Sequence, residues 1–253
     1  MTASIRSARA TAGHFWFLFW KRGFRKWYRG EYTVGIPSGR RVFTPWFAPA
    51  LTSEFWEIFN RARSSGDYIV SPECSYMVYQ YCLSCLDLPG NIAECGVYSG
   101  GIAHLLSLLL QRHASKASLH LFDTFEGMPS ASITERDHFV SGDLAAPLDR
   151  VVQRLDGFPF VEFHPGRLPE TLSQVAGVTD YAFVHVNVDM YQSTLDCCQW
   201  FWPRMGTGGI LFIGDYGMYA YRRTARAAAD EYFADRDATV LLLPTGQALV
   251  IKR

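Results

Sequence analysis

The chain has 253 residues, 49% of them hydrophobic and 15% aromatic, with 24 basic and 24 acidic side chains. That is apolar material for one large domain with a full core, and it excludes a disordered chain. Zero net charge excludes the overall basicity of a nucleic-acid carrier, yet the charge is uneven: nine Lys/Arg and one acid fall within residues 1–41, leaving 15 bases and 23 acids beyond.

Residues 1–50 read as a basic, aromatic N-terminal arm. The run HFWFLFW at 14–20 is followed by Lys21, Arg22, Arg25 and Lys26, and then by an extended stretch punctuated by Gly35, Pro37, Gly39, Pro45 and Pro49. The run is too short to cross a bilayer, which takes about 20 apolar residues. Charges follow it without a small-residue cleavage site, which is not the pattern of a secretory leader. Its rings call for burial, against the chain's own domain or a second subunit. The matching charge excesses of arm and body favour a homodimer or higher homo-oligomer over a membrane contact, and no basic stripe for nucleic acid recurs. Six cysteines (74, 82, 85, 95, 197 and 198) lack disulfide or metal spacing, since Cys82-x-x-Cys85 has no second pair. A reduced, cytoplasmic setting is the economical one.

Residues 51–253 read as one α/β domain. Helical patterns at about 53–64 and 74–87 form a lead-in over 51–90, closed by Asp87-Leu-Pro-Gly90. Strand patterns at 91–95, 118–123, 160–164, 181–187 and 208–213 then alternate with helical ones at 101–113, 146–156, 168–176, 192–203 and 219–235. Such alternation predicts a mostly parallel sheet with helices on both faces. The tail ATVLLLPTGQALVIKR holds two β-rich runs around Pro244-Thr-Gly246, which predicts a terminal antiparallel hairpin. The segment 124–145 is long and polar and leaves the carboxyl end of a strand, where open α/β sheets bind ligands, so it predicts a lid.

The stretch NIAECGVYSGG at 91–101 carries the most chemistry. An apolar strand runs into an acid, a glycine turn (Gly96, Gly100, Gly101) and a helix, and the next strand, LHLFD, ends on Asp123. A strand, glycine turn, helix, strand and acid in this order bind a nucleoside, with the acid on the ribose hydroxyls. The dinucleotide fingerprint is missing, because Glu94-Cys95-Gly96 stands where its first glycine belongs, and no Tyr-x-x-x-Lys pair supports an NAD oxidoreductase. An early carboxylate repels a pyrophosphate but suits the cationic amino group and sulfonium of S-adenosylmethionine.

Taken in order, ECGVYSGG, LFDTFEGMP, HVNVDMYQSTL and IGDYG resemble the motifs of the macrocin O-methyltransferase (TylF-like) family, over about residues 68–235. The resemblance implies a Rossmann-like class I methyltransferase fold, S-adenosylmethionine as cofactor, and transfer to a hydroxyl of a small natural product, first of all a sugar. It implies that Glu94, Gly96, Tyr98, Ser99 and Gly100 line the methionine and sulfonium end. Asp123 then holds the ribose, Thr124 and Phe125 lie beside the adenine, and Gly166 and Arg167 close over the base.

Asp189 follows YAFVHVNV and Asp215 follows GILFIG, so both emerge at the ligand edge of the sheet. Transfer to a hydroxyl needs a base or a metal to lower the cost of losing its proton. The family's matching motifs run close to D-x-D-x-Y and D-D-Y and bind Mg²⁺, so the resemblance implies Asp189 and Asp215 as metal ligands. Asn187 and Gly214 stand here in place of the leading acids, which removes charge and one oxygen from the donor set of a hard cation. Without the metal, Asp189 or the lid's His138 is the candidate base. Other readings stay open: Asp189 or Asp215 as helix N-caps, His185 as a satisfied core histidine, and a non-catalytic partner protein that kept the fold.

Overall fold

The computed structural model describes residues 53–130, 139–178 and 180–253; the N-terminal arm and His138 fall outside them. Two helices, α1 (Ser53–Ser64) and α2 (Pro72–Ser84), precede the sheet. The parallel strands are β1 (Asn91–Cys95), β2 (Leu119–Asp123), β3 (Val161–Pro165), β4 (Tyr181–Val186) and β5 (Met205–Ile213). Between and after them come α3 (Gly101–Arg112), α4 (Leu148–Arg154), α5 (Tyr191–Phe201) and α6 (Ala225–Phe233), then β6 (Leu241–Leu242) and β7 (Ala248–Ile251). The strands form one seven-stranded sheet in the order β3-β2-β1-β4-β5-β7-β6. The final two pair antiparallel, β7 with both β5 and β6, as the tail predicted.

Side-chain alternation divides the core into two layers. Ile92, Phe183 and Phe212 face α1, α2 and α3, whereas Ala93, Val184 and Leu211 face α5 and α6. β4 is buried at every position, the expected state of a central parallel strand covered on both sides. The N-terminus of α2 is fixed by Pro72 in its first turn and by the Ser71 hydroxyl, which accepts from the Cys74 amide. The strand order reverses beside β1, so turns leaving β1 and β4 diverge and leave a crevice at their carboxyl ends.

Two predicted helices differ in the structure. The 168–176 segment forms a 3₁₀ turn, Glu170–Val175, because Pro169 and Gly177 bracket a run too short to offset α-helix nucleation. The 219–235 segment splits into a 3₁₀ turn, Tyr219–Tyr221, and α6. Its start is held back where the Gly217 amide donates to the Gly246 carbonyl of the β6–β7 turn. All six cysteines are free, and five are buried. Among the described residues no helix is long and apolar enough to cross a membrane.

Candidate active site

The crevice is built by extending the sheet one residue past its strands. Gly96 N donates to Phe122 O at 2.9 Å, Asn187 N to Cys95 O at 2.8 Å and Gly214 N to Val186 O at 2.8 Å. The three turns are thereby held side by side. Gly96 has φ +86°, and a Cβ there would lie 2.0 Å from the Asn187 carbonyl oxygen. Its missing side chain is what admits the neighbouring backbone.

Above these turns lies a cavity of about 460 Å³, the size of a small-ligand site. Of the residues singled out from sequence, Gly96, Tyr98, Asp123, Thr124, Gly166, Asp189 and Asp215 line it. Met128, Phe139 and Leu144, from the two ends of the predicted lid, face it as well, and α2 adds Cys74 and Val78.

Five of the residues assigned to the cofactor are placed elsewhere. The Ser99 hydroxyl donates to the Asp67 carbonyl at 2.8 Å. Gly100 has φ +78°, and a Cβ there would stand 2.9 Å from Val151 Cγ1, so that glycine admits α4. Phe125 is packed into the core near Phe163. Arg167 is solvent-facing and pairs with Glu170 at 3.4 Å. Glu94 stands behind the wall against His185, its register neighbour on β4, with Oε1 at 3.2 Å from His185 Nδ1. It is His185 that reaches the cavity. Glu94 is 1% exposed and its Oε2 lacks a partner. Burial pushes its carboxyl above the usual range, and the hydrogen bond from His185 offsets part of that.

Asp123 is engaged before any ligand arrives. Its Oδ2 accepts from the amides of Val97 at 2.7 Å and Tyr98 at 2.9 Å, and its Oδ1 accepts from Phe125 at 2.8 Å. The Thr124 hydroxyl lies 3.5 Å from Oδ1 but gives its one proton to the Gly127 carbonyl at 2.7 Å; of about four lone-pair sites on the carboxylate, roughly one then remains for a ribose hydroxyl. Asp123 therefore shapes the glycine turn, and Tyr98 and Phe125 are held in left-handed backbone at φ +50° and +58°. Arg154 is a residue that sequence reading missed. Its guanidinium donates to the carbonyls of Ala62, Asp67 and Ser99 and to the Ser65 hydroxyl, tying the glycine turn to the α1–α2 connection. Its acceptors are mostly main-chain atoms, so no side-chain pattern marked it.

Asp189 is not a helix cap. The N-cap of α5 is Met190, with no side-chain cap bond, and Asp189 occupies the preceding reversal with φ +62°. Such a backbone is costly for a non-glycine residue and concentrates at functional sites. Asp189 is 7% exposed and its Oδ1 has no partner. Burial first, then a hydrogen bond to Asp215 and the charge of Asp215, hold its carboxyl well above the ordinary range. Two carboxyls in contact are stable with a proton or a cation between them. Tyr221 also faces the cavity, its phenol pushed up by burial and by these two acids, and its ring stacks on Phe139 at 6.3 Å. The donor set fits a magnesium ion, which takes one or two carboxylates and keeps waters. Asp189 offers a buried unpartnered oxygen, Asp215 a second carboxylate, and Asn187, which also lines the cavity, a neutral amide oxygen.

The strand order and the cavity at the carboxyl ends of β1 and β4 define a class I methyltransferase fold. The chain belongs to the macrocin O-methyltransferase (TylF) family, whose model matches residues 82–242. It is 31% identical over 158 residues to the 8-demethyl-8-(2,3-dimethoxy-alpha-L-rhamnosyl)-tetracenomycin-C 4'-O-methyltransferase of Streptomyces olivaceus, covering 56% of this chain and 60% of the relative. It is 27% identical over 163 residues to the demethyldecarbamoylnovobiocin O-methyltransferase of Streptomyces niveus, covering 60% of this chain and 61% of the relative. The solved structure of the O-methyltransferase NovP superposes with a TM-score of 0.66 at 22% identity, covering 78% of this chain and 87% of that one. The chain spans about three fifths of the length of the curated relatives it matches.

Proposed function

We propose that the chain is an S-adenosylmethionine-dependent O-methyltransferase that acts on a hydroxyl of a small natural product, first of all a sugar moiety. The observation that carries this reading is the Asp189–Asp215 pair, Asp189 buried and Asp215 half-buried, which lines the same cavity as Gly96 and Asp123. Family membership and the glycosidic substrate in the name of the Streptomyces olivaceus relative support it.

The bound cofactor supplies an electrophilic methyl group on a sulfonium. Gly96, Tyr98, Asp123, Thr124 and Gly166 hold its nucleoside and methionine parts, with Asp123 giving its remaining lone pair to a ribose hydroxyl. Without a metal, Asp189 accepts the acceptor's proton as the carbon–oxygen bond forms, and Asp215, in hydrogen-bond contact with it, tunes its basicity. Asp189, Asp215 and Asn187 would hold Mg²⁺, which when bound lowers the pKa of the acceptor hydroxyl and orients it. Phe139, Leu144 and Tyr221 exclude water from the reacting end. A cytoplasmic homo-oligomer is the setting we propose, supported by the six free cysteines and by the opposite charge excesses of arm and body.

One observation favours a second reading, a cofactor-binding partner protein without turnover: Gly214 and Asn187 replace two acids of the family motifs. A single experiment separates the two. Full-length protein is incubated with S-adenosylmethionine and a panel of glycosylated and phenolic acceptors, with and without EDTA and restored Mg²⁺, and products are read by mass spectrometry. The proposal expects a product with one added methyl on oxygen, lost on chelation and regained with Mg²⁺. Cofactor binding with no methylated product from any acceptor would support the second reading.

A further inference from the structure

On the β2–β3 edge, three side chains outside the Asp189–Asp215 site aim metal-ligating atoms at one another. The parallel register pairs His120 with Glu162 and Phe122 with His164, so alternation places all four on one face. His120 Nδ1 lies 3.0 Å from His164 Nε2 and 3.5 Å from Glu162 Oε2, and the three ligand atoms all fall within 4.8 Å of each other. Nitrogen and oxygen ligands of one tetrahedral zinc, with bonds of about 2.0–2.1 Å, stand ~3.3 Å apart. Among the described residues no other group of His, Cys, Asp and Glu converges in this way.

Hydrogen bonding within the cluster leaves the Glu162 carboxylate to solvent on its exposed side. One proton serves the two facing ring nitrogens. If His164 donates it, His120 Nδ1 turns a bare lone pair on the Glu162 carboxylate; if His120 donates it to His164, the carboxylate is left without a proton. The buried Nε2 of His120 has no partner in either tautomer and points away from the three converging atoms, of which His120 contributes Nδ1. A cation in the middle resolves the converging lone pairs.

We propose that His120, Glu162 and His164 bind a borderline transition-metal dication, Zn²⁺ in the first instance, with the fourth coordination position open to water. Two imidazoles and one carboxylate are a donor set suited to that class of ion, and not to Mg²⁺ or Ca²⁺. The two histidines are buried and close the site on the sheet side, while Glu162 is half exposed and gives an entry path. Burial lowers the basicity of both imidazoles, which keeps them neutral and ligand-competent near pH 7. Outside the ligands, the Gln174 side chain hydrogen-bonds His164, as orienting partners of metal-bound histidines do. The ring of Phe122 stacks on His164 at 4.6 Å and also lines the cavity, so the ion would fix that wall from behind. The proposal stands independently of methyl transfer.

The test is equilibrium dialysis of the full chain against buffered Zn²⁺ with elemental analysis, backed by the visible absorption of Co²⁺ in its place. The variants are His164→Gln and the surface change Glu162→Gln, with Asp189→Asn/Asp215→Asn as a control. We expect one equivalent of Zn²⁺ to be lost, or weakened at least tenfold, in both edge variants and retained in the control. A zinc-dependent rise in Tm should be seen for the wild type and not for Glu162→Gln. Absence of bound Zn²⁺ in the wild type would overturn the proposal, as would a full equivalent that survives both edge substitutions.

Discussion

The carboxamide of Asn187 occupies the space where a side chain at position 214 would begin: a Cβ on Gly214 would stand 1.9 Å from Asn187 Oδ1 and 2.8 Å from Cγ. The two departures from the family's acidic motifs are therefore one packing unit, and an acid restored at 214 alone displaces Asn187 instead of adding an oxygen.

The consequence is a coupled pair. Gly214→Ala should cost about 1–3 kcal/mol through overpacking. In Asn187→Ala/Gly214→Ala most of that loss should return, because the remaining neighbour, Asn187 Cβ, is 3.4 Å away. Urea denaturation of the four proteins measures the coupling, and simple additivity would show that the contact carries no strain.

Asp123→Ala should lower stability and cofactor affinity together. The substitution leaves the Val97, Tyr98 and Phe125 amides without their acceptor, at a cost on the order of 1–3 kcal/mol. Chemical denaturation and calorimetric titration with S-adenosylhomocysteine read the two effects. Lost affinity with unchanged stability would make Asp123 a ligand contact alone.

Asp189→Asn should raise stability at neutral pH while it removes activity. The folded-state pKa of Asp189 is raised, so its contribution is present below the unfolded value of about 3.9 and is lost as pH rises through the folded value. At pH 7 the wild type bears the cost either of burying that charge or of holding the carboxyl protonated, and asparagine bears neither and tolerates the left-handed backbone. Melting curves in EDTA should show the variant above wild type at pH 7, with the gap closing towards pH 4. A variant that melts lower at pH 7 would show that the charge is well satisfied.

Arg154→Met should destabilise by about 2–3 kcal/mol, because three main-chain carbonyls lose a charged donor. The loosened glycine turn should raise KM for the cofactor. A change in kcat alone would place Arg154 in the reaction instead.

Much of the fold was legible because its signals are local. A buried central strand such as YAFVHV and a glycine turn ending in a helix both follow from side-chain period and backbone freedom. The cavity lining was legible where the carboxyl end of a strand delivers a residue to the crevice, as at Asp123, Asp189 and Asp215. Ser99 and Gly100 do not line the cavity, and a glycine that admits a neighbouring helix looks the same in sequence as one that admits a ligand. Glu94 was displaced by its cross-strand partner His185, and the contributions of α2 and Arg154 depend on tertiary approach, which no short motif records.

The role proposed for Asp189 is in methyl transfer to oxygen. Its most direct test is the rate at which labelled methyl passes from S-adenosylmethionine to a glycosylated acceptor that the wild-type chain turns over, compared with Asp189→Asn. The expected result is a fall of ~10²–10⁴-fold with affinity for S-adenosylhomocysteine unchanged. Transfer by Asp189→Asn at the wild-type rate would contradict it.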